Sequence, residues 1–210
     1  MAAEQAPRAR RQYRSPRREQ QAGETRAAVL AAAVRLFAER GWAATGMRDV
    51  AREAGVSVET VYTGFRSKSD LLMAALDVAV VGDAEPEVLA DRPEFALLGS
   101  GTRQERIAAA ARLVTAIHER TAGVHLALRE AAASNGDLAQ RLRENQQRRR
   151  ISIEQGMTRV AGREVTREER DGAWAVLGVE VYHLLTGISG WTPQQYEEWA
   201  AGVIDRLLGT

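Results

Sequence analysis

Two groups of residues in this chain have types and spacings that suit binding chemistry. The first lies in Thr45–Leu72, TGMRDVAREAGVSVETVYTGFRSKSDLL. Val50, Ala51 and Ala54 give an inward face to a short helix from about Met47 to Glu53. Gly55 falls where the chain must turn sharply, a place that favours a residue free to adopt positive φ. Val56 re-enters the interior, and the Ser57 hydroxyl can cap the next helix. That helix, Ser57 to about Thr63, buries Val61 and turns Ser57, Val58, Glu59, Thr60 and Tyr62 outward. Two short helices joined by a glycine-containing turn form a helix-turn-helix, whose second helix reads hydrogen-bonding groups in a DNA major groove. The alternative is a helical hairpin inside an ordinary α-bundle. The second group is His118, His125 and Arg129, which share a helical face if the helix continues past Gly123. Trp174, Tyr182 and His183 are further amphipathic side chains able to line a pocket; core packing or plain exposure is the alternative for each. Catalysis has little to draw on. There is no Cys, three His lie far apart, and there is no metal-ligand spacing, phosphate loop or nucleophile elbow. No catalytic residue, metal or cofactor is expected, and the chain does not read as an enzyme.

The elements that would position these groups are all helical. Val29, Leu30, Ala33, Leu36 and Phe37 fall on one face of a helix from Glu24 to Arg40, which Gly41 ends and Trp42 follows. Four hydroxyl-x-x-acid/Gln signatures mark later helix starts: Ser67 with Asp70, Thr102 with Glu105, Thr166 with Glu169, and Thr192 with Gln195. Pro193 at the first helical position strengthens the last. The helix from Ser67 ends near Gly82. Asp83–Gly101 reads as a loop with a short turn around Phe95–Leu98. Helix resumes at Thr102 and bends or breaks at Gly123 before running to Ala133. Ser134–Asp137 is a turn, Leu138 to about Ala161 a helix, and Thr166 to about Thr186 and Pro193 to Leu208 the last two. Arg148–Arg150 reads as a solvated helix face.

Charge is unevenly spread. Residues 1–70 hold 13 Lys and Arg against 8 Asp and Glu, while residues 71–210 hold 16 against 20. A basic front and an acidic back suit a protein that presents one end to a polyanion. Residues 1–23 hold six Arg and few apolar side chains, and read as a disordered basic tail that either solubilises or tracks phosphates. The apolar run Ala27–Val34 is too short to span a bilayer and Arg35 interrupts it, so a cytoplasmic location is expected.

Phe37, Gly41, Ala51, Ala54-Gly55-Val56-Ser57, Tyr62, Phe65, Lys68 and Leu71-Leu72 sit in a pattern that resembles the N-terminal domain of TetR-family transcriptional regulators. The resemblance implies an all-α fold: a three-helix helix-turn-helix domain over residues 24–70, with the motif at about 46–65, and a larger helical ligand-binding and dimerisation domain over 71–210. It implies that Ser57–Thr63 is the recognition helix, with base reading by Ser57, Val58, Glu59 and Thr60. Phosphate contacts would come from Thr45, Tyr62 and Lys68, and Arg48 would reach either a base or a phosphate. Gly46 and Gly64 depart from the pattern by removing side chains that would touch phosphate. The family dimerises through its last two helices, here the stripes Trp174, Leu177, Val181, Leu184 and Tyr196, Trp199, Val203, Leu207; closing a monomer core is the alternative use of both. The implied function is a dimeric repressor bound to a palindromic double-stranded operator and released by a small-molecule effector. The alternative is a DNA-binding architectural dimer with a filled core.

Overall fold

The computed structural model describes residues 16–82 and 89–209. Among the described residues every regular element is a helix: α1 (Pro16–Arg40), α2 (Met47–Glu53), α3 (Val58–Gly64), α4 (Lys68–Val81), α5 (Pro93–Ala96), α6 (Arg103–Ala132), α7 (Gly136–Ala161), α8 (Arg167–Val176), α9 (Val179–Tyr182) and α10 (Pro193–Leu208), with short 3-10 turns at Leu89–Asp91 and Leu97–Gly99. None is long and apolar enough to cross a membrane.

The expected basic tail lies outside the described residues over 1–15. Its remaining part is helical, so α1 starts at Pro16 instead of Glu24. The segment is polar, but polarity does not prevent it from extending a helix that is anchored further on. Proline suits a first helical turn, the following Arg, Glu, Gln and Ala favour helix, and Gln20 bonds Glu24 one turn later at 3.0 Å.

The four predicted caps are present. Thr102, Thr166 and Thr192 each accept an N–H through the hydroxyl and donate their own backbone N–H to the side-chain oxygens of Glu105, Glu169 and Gln195; Ser67 accepts the Asp70 N–H. Helix α6 does not break at Gly123. An ideal Cβ there would lie 2.6 Å from the Ala38 Cβ of α1, so the missing side chain lets the two helices touch without interrupting either.

Two apolar cores follow. The first gathers Leu30, Phe37, Val50, Val61 and Leu72 from α1–α4, and is closed by Val124, Leu128 and Ala131 of α6 and by Leu138 of α7. The second joins the first half of α6 to α7, α8 and α10. The border expected between residues 70 and 71 falls inside α4, whose Leu71, Leu72 and Ala75 belong to the first core. Leu177, Tyr196 and Val203, expected on an exposed interface, are instead buried in the second core. They lie on the α8–α10 faces turned toward α6 and α7.

The helix expected from Thr166 to Thr186 is divided. It leaves regular geometry at Leu177, whose carbonyl oxygen takes a bond from His118 Nε2 at 3.0 Å. It restarts at Val179 and widens into a π-type turn over His183–Ile188.

Candidate nucleic-acid interface and interior cavity

The expected reading surface is α3 and its supports. Gly55 takes a positive φ of 67° between α2 and α3. Ser57 caps α3, its Oγ accepting the Thr60 N–H at 3.2 Å. Val61 anchors the helix with full burial, leaving Ser57, Glu59, Thr60, Tyr62 and Thr63 exposed. Tyr62 is 54% exposed with its phenol free to reach outward. Glu59 sits in the first turn, where its own N–H and the Ser57 hydroxyl hold its carboxyl below the usual range. Arg48 is exposed beside this surface, and no ion pair joins it to Glu59 among the described residues. Arg26, which the sequence reading passed over, fixes the far end of α3. Its guanidinium donates to the Gly64 carbonyl at 3.3 Å and stacks 4.4 Å over the Phe65 ring. Nothing in the sequence marks that pairing across 38 positions.

Three expected contact residues sit differently. Thr45 is buried, and its hydroxyl donates toward the carbonyls of Leu36 and Gly41 at 3.0 and 2.9 Å. It therefore closes the α1–α2 corner and has no surface for a phosphate. Val58 is half-buried against the first core, so only part of it faces outward. Lys68 folds back to donate to the Trp42 carbonyl and lies 4.0 Å over the Trp42 indole. Desolvation lowers its pKa, opposed by Glu130 and Asp49.

The α1–α2 corner is also where the two halves of the molecule meet. The carboxylate of Glu130, near the end of α6, accepts the N–H groups of Trp42 and Ala43 at 2.9 and 3.2 Å. Arg141 of α7 bonds Asp70 of α4 at 3.0 Å, and Arg120 of α6 donates to the last carbonyls of α4, Ala79 and Val80, both at 3.0 Å.

Behind this junction lies a cavity of about 510 Å³. Leu76 and Val80 of α4, Leu113 and Ile117 of α6, and Met157 of α7 supply much of its apolar wall, and His118 and His125 join them. Arg129, Trp174, Tyr182 and His183 do not line it. Arg129 and His183 face a smaller outer cleft on the far side of Glu180. Tyr182 is buried with its ring 5.6 Å from that of His118, and Trp174 lies under Arg149. Of the three arginines expected on a solvated face, Arg148 and Arg150 are exposed, although Arg148 also borders the cavity, whereas Arg149 is only 19% exposed and lines it. A signal was present, since Arg149 shares the α7 stripe of Leu142, Ile153, Met157 and Val160 at helical spacing.

The polar wall groups are mutually compensated. Arg149 donates to the Trp174 carbonyl and to Gln146, with Glu180 at 4.0 Å. Arg148 faces Asp77 at 3.7 Å. Glu180 also takes His125 Nε2 at 3.3 Å, which with its other partners holds the carboxyl down at about 2. Burial pushes His118 down to about 4, leaving it neutral at pH 7.

Residues 29–75 match the family model of bacterial regulatory proteins of the tetR family. Over 61 residues the chain is 43% identical to the HTH-type transcriptional regulator TtgR of Pseudomonas putida, a stretch that is 29% of each chain. Over 54 residues it is 48% identical to the HTH-type transcriptional repressor Rv3405c of Mycobacterium tuberculosis, covering 26% of this chain and 29% of that one. The matches thus span under a third of the length of these curated relatives. Likeness of fold extends further. A TetR-family transcriptional regulator from Mesorhizobium loti aligns over 88% of this chain and 95% of its own at a TM-score of 0.66, with 18% identity.

Proposed function

This chain carries the DNA-binding domain of the bacterial TetR regulatory family, and from that premise we propose that it is a transcriptional repressor, dimeric on a palindromic operator and released by a small molecule held in the interior cavity. The observation that carries the reading is the double use of α4. Leu71, Leu72 and Ala75 belong to the core under the reading helix, while Leu76 and Val80 are cavity wall. A ligand that fits only one setting of α4 shifts the population of DNA-binding conformers by its differential affinity. An open cavity supports this reading over an architectural dimer, whose core has no reason to be hollow.

Recognition falls to Ser57, Glu59, Thr60 and Thr63 at base edges, with Tyr62 and Arg48 on phosphates. A single short helix reads few base pairs, so a second copy would place another reading helix about 34–36 Å away, one turn along the duplex. The side chains best suited to that copy are the exposed apolar ones of this part of the chain, Val176, Leu184 (52% exposed) and Ile188 (69% exposed), with the part-exposed Val181 and Trp199.

The test is binding of the purified protein to DNA upstream of its own gene, against random duplex, with salt titrated. Preference for the upstream DNA, a steep salt slope and at least about tenfold weakening by Tyr62→Ala or Arg48→Ala are expected. Equal affinity for random duplex would overturn the reading.

A further inference from the structure

The cavity is polar at one end and apolar at the other. Its α7 wall begins with Asn145, Arg148 and Ser152, which share one helical stripe, and continues through Ile153 and Gly156 to the buried Met157. Phe95 and Leu98, both buried, lie against Gly156 and close that second end. At the first end Arg148 and Asp77 border the cavity and are 59% and 61% exposed, so they stand at its mouth. From Arg148 to Met157 the helix rises about 13 Å.

The pairing at the mouth offsets charge without making a hydrogen bond. Arg148 Nη2 and Asp77 Oδ1 are 3.7 Å apart, beyond hydrogen-bond reach. Among the described residues the Arg148 guanidinium donates to no other group, and the half-buried Asn145 amide has no partner. An exposed pair of this kind holds together weakly, and Asp77 can turn into water when Arg148 is taken.

The remaining charges decide the sign of what can enter. Arg149 also borders the cavity, whereas the Glu180 that offsets it at 4.0 Å does not. Among the described residues the border thus carries two guanidinium groups and one carboxylate. A carboxylate arriving at Arg148 meets a planar fork of unused donors that it can accept in pairs. At a mouth open to water its desolvation is only partial. An ammonium drawn to Asp77 would have to displace Arg148 and remain beside a border of net positive charge.

Resting on the reading of this cavity as the effector site, we infer that it takes an amphipathic anion: a carboxylate, held at the mouth by Arg148 and Asn145, on an apolar chain that runs along α7 toward Met157 and Phe95.

Decanoate, 1-decanol and decylammonium share a chain of about the length of that wall and differ in the head. Each is titrated calorimetrically into the full-length protein at pH 7 and low salt. Decanoate should bind about tenfold tighter than the other two, with the margin shrinking as salt is added. Arg148→Gln should bring decanoate down to the alcohol. Asp77→Asn removes the competing carboxylate and should tighten decanoate about threefold, where it would weaken a bound ammonium. Both side chains are exposed, so neither change threatens the fold. Decanoate binding no tighter than the alcohol, tightest binding of decylammonium, or a preference for decanoate that survives Arg148→Gln would overturn the inference and leave the cavity reading standing. Decanoate that binds as expected and leaves operator affinity unmoved would uphold the inference about the site and overturn the effector reading.

Discussion

Thr45 and Lys68 show how a residue's position in a motif differs from what its side chain does. Both stand where the family resemblance places phosphate contacts. The Thr45 hydroxyl instead bridges the Leu36 and Gly41 carbonyls, and the Lys68 ammonium is taken up by Trp42. Thr45→Val should therefore cost about 1–2 kcal/mol of stability in urea unfolding, with operator affinity per folded molecule unchanged. Which way these side chains turn depends on carbonyls freed by the positive-φ turn at Gly41, a geometry that residue types alone do not reveal. His118 gives a pH prediction. Its folded pKa of about 4 lies below the usual histidine value of 6.5, so between those values the unfolded chain binds more protons. Its contribution is whole above about pH 6.5 and is lost as pH falls toward 4, about 3 kcal/mol in all. Glu180 extends the loss below the usual glutamate value of 4.5, toward about 2. The melting temperature should fall from pH 6.5 to 4.5, and fall less steeply in His118→Asn.

At the scale of elements, the helix starts were legible because a cap is a local device: a hydroxyl, two spacers and an acid or Gln are enough to place Thr102, Thr166 and Thr192. The helix interruptions were not, because they answer to distant partners. Gly123 looks like a break and is a contact point with α1, whereas the real break falls at Leu177, whose carbonyl is taken up by a histidine 59 positions away. The two glycines of long helices that face neighbours should thus respond oppositely to substitution. Gly123→Ala drives a methyl into Ala38 at 2.6 Å and should cost about 1–3 kcal/mol by thermal unfolding. Gly156→Ala meets Leu98 at 3.5 Å and Phe95 at 3.9 Å, both ordinary contacts, and should be neutral or stabilising by up to about 1 kcal/mol, the ordinary helix preference.

Over the whole molecule, the front half was readable and the back half only in outline. Residues 29–75 carry a dense pattern because four short-range neighbouring helices close on one small core through Leu30, Phe37, Val50, Val61 and Leu72. The cavity wall is instead assembled from α4, α6 and α7 by side chains whose partners lie far along the chain, such as Arg148 with Asp77. The join between the halves passes through Glu130, whose carboxylate holds the Trp42 and Ala43 N–H groups. Glu130→Ala should lower stability by about 0.5–1.5 kcal/mol, since the hydrogen bonds are lost but water can take the exposed donors. It should also shrink the factor by which a cavity ligand changes operator affinity. Fluorescence anisotropy on labelled operator, with and without a molecule that occupies the cavity, measures that factor in both proteins.

Lys68 is the only lysine in the chain. Apart from any terminal α-amine, an acylating reagent therefore has a single target, and it is held under the Trp42 indole at the corner where the halves join. The protein carries its own one-site chemical gauge. The rate at which Lys68 is modified counts how often that corner opens, without a label having to be introduced, and a mass spectrometer reads it from one peptide.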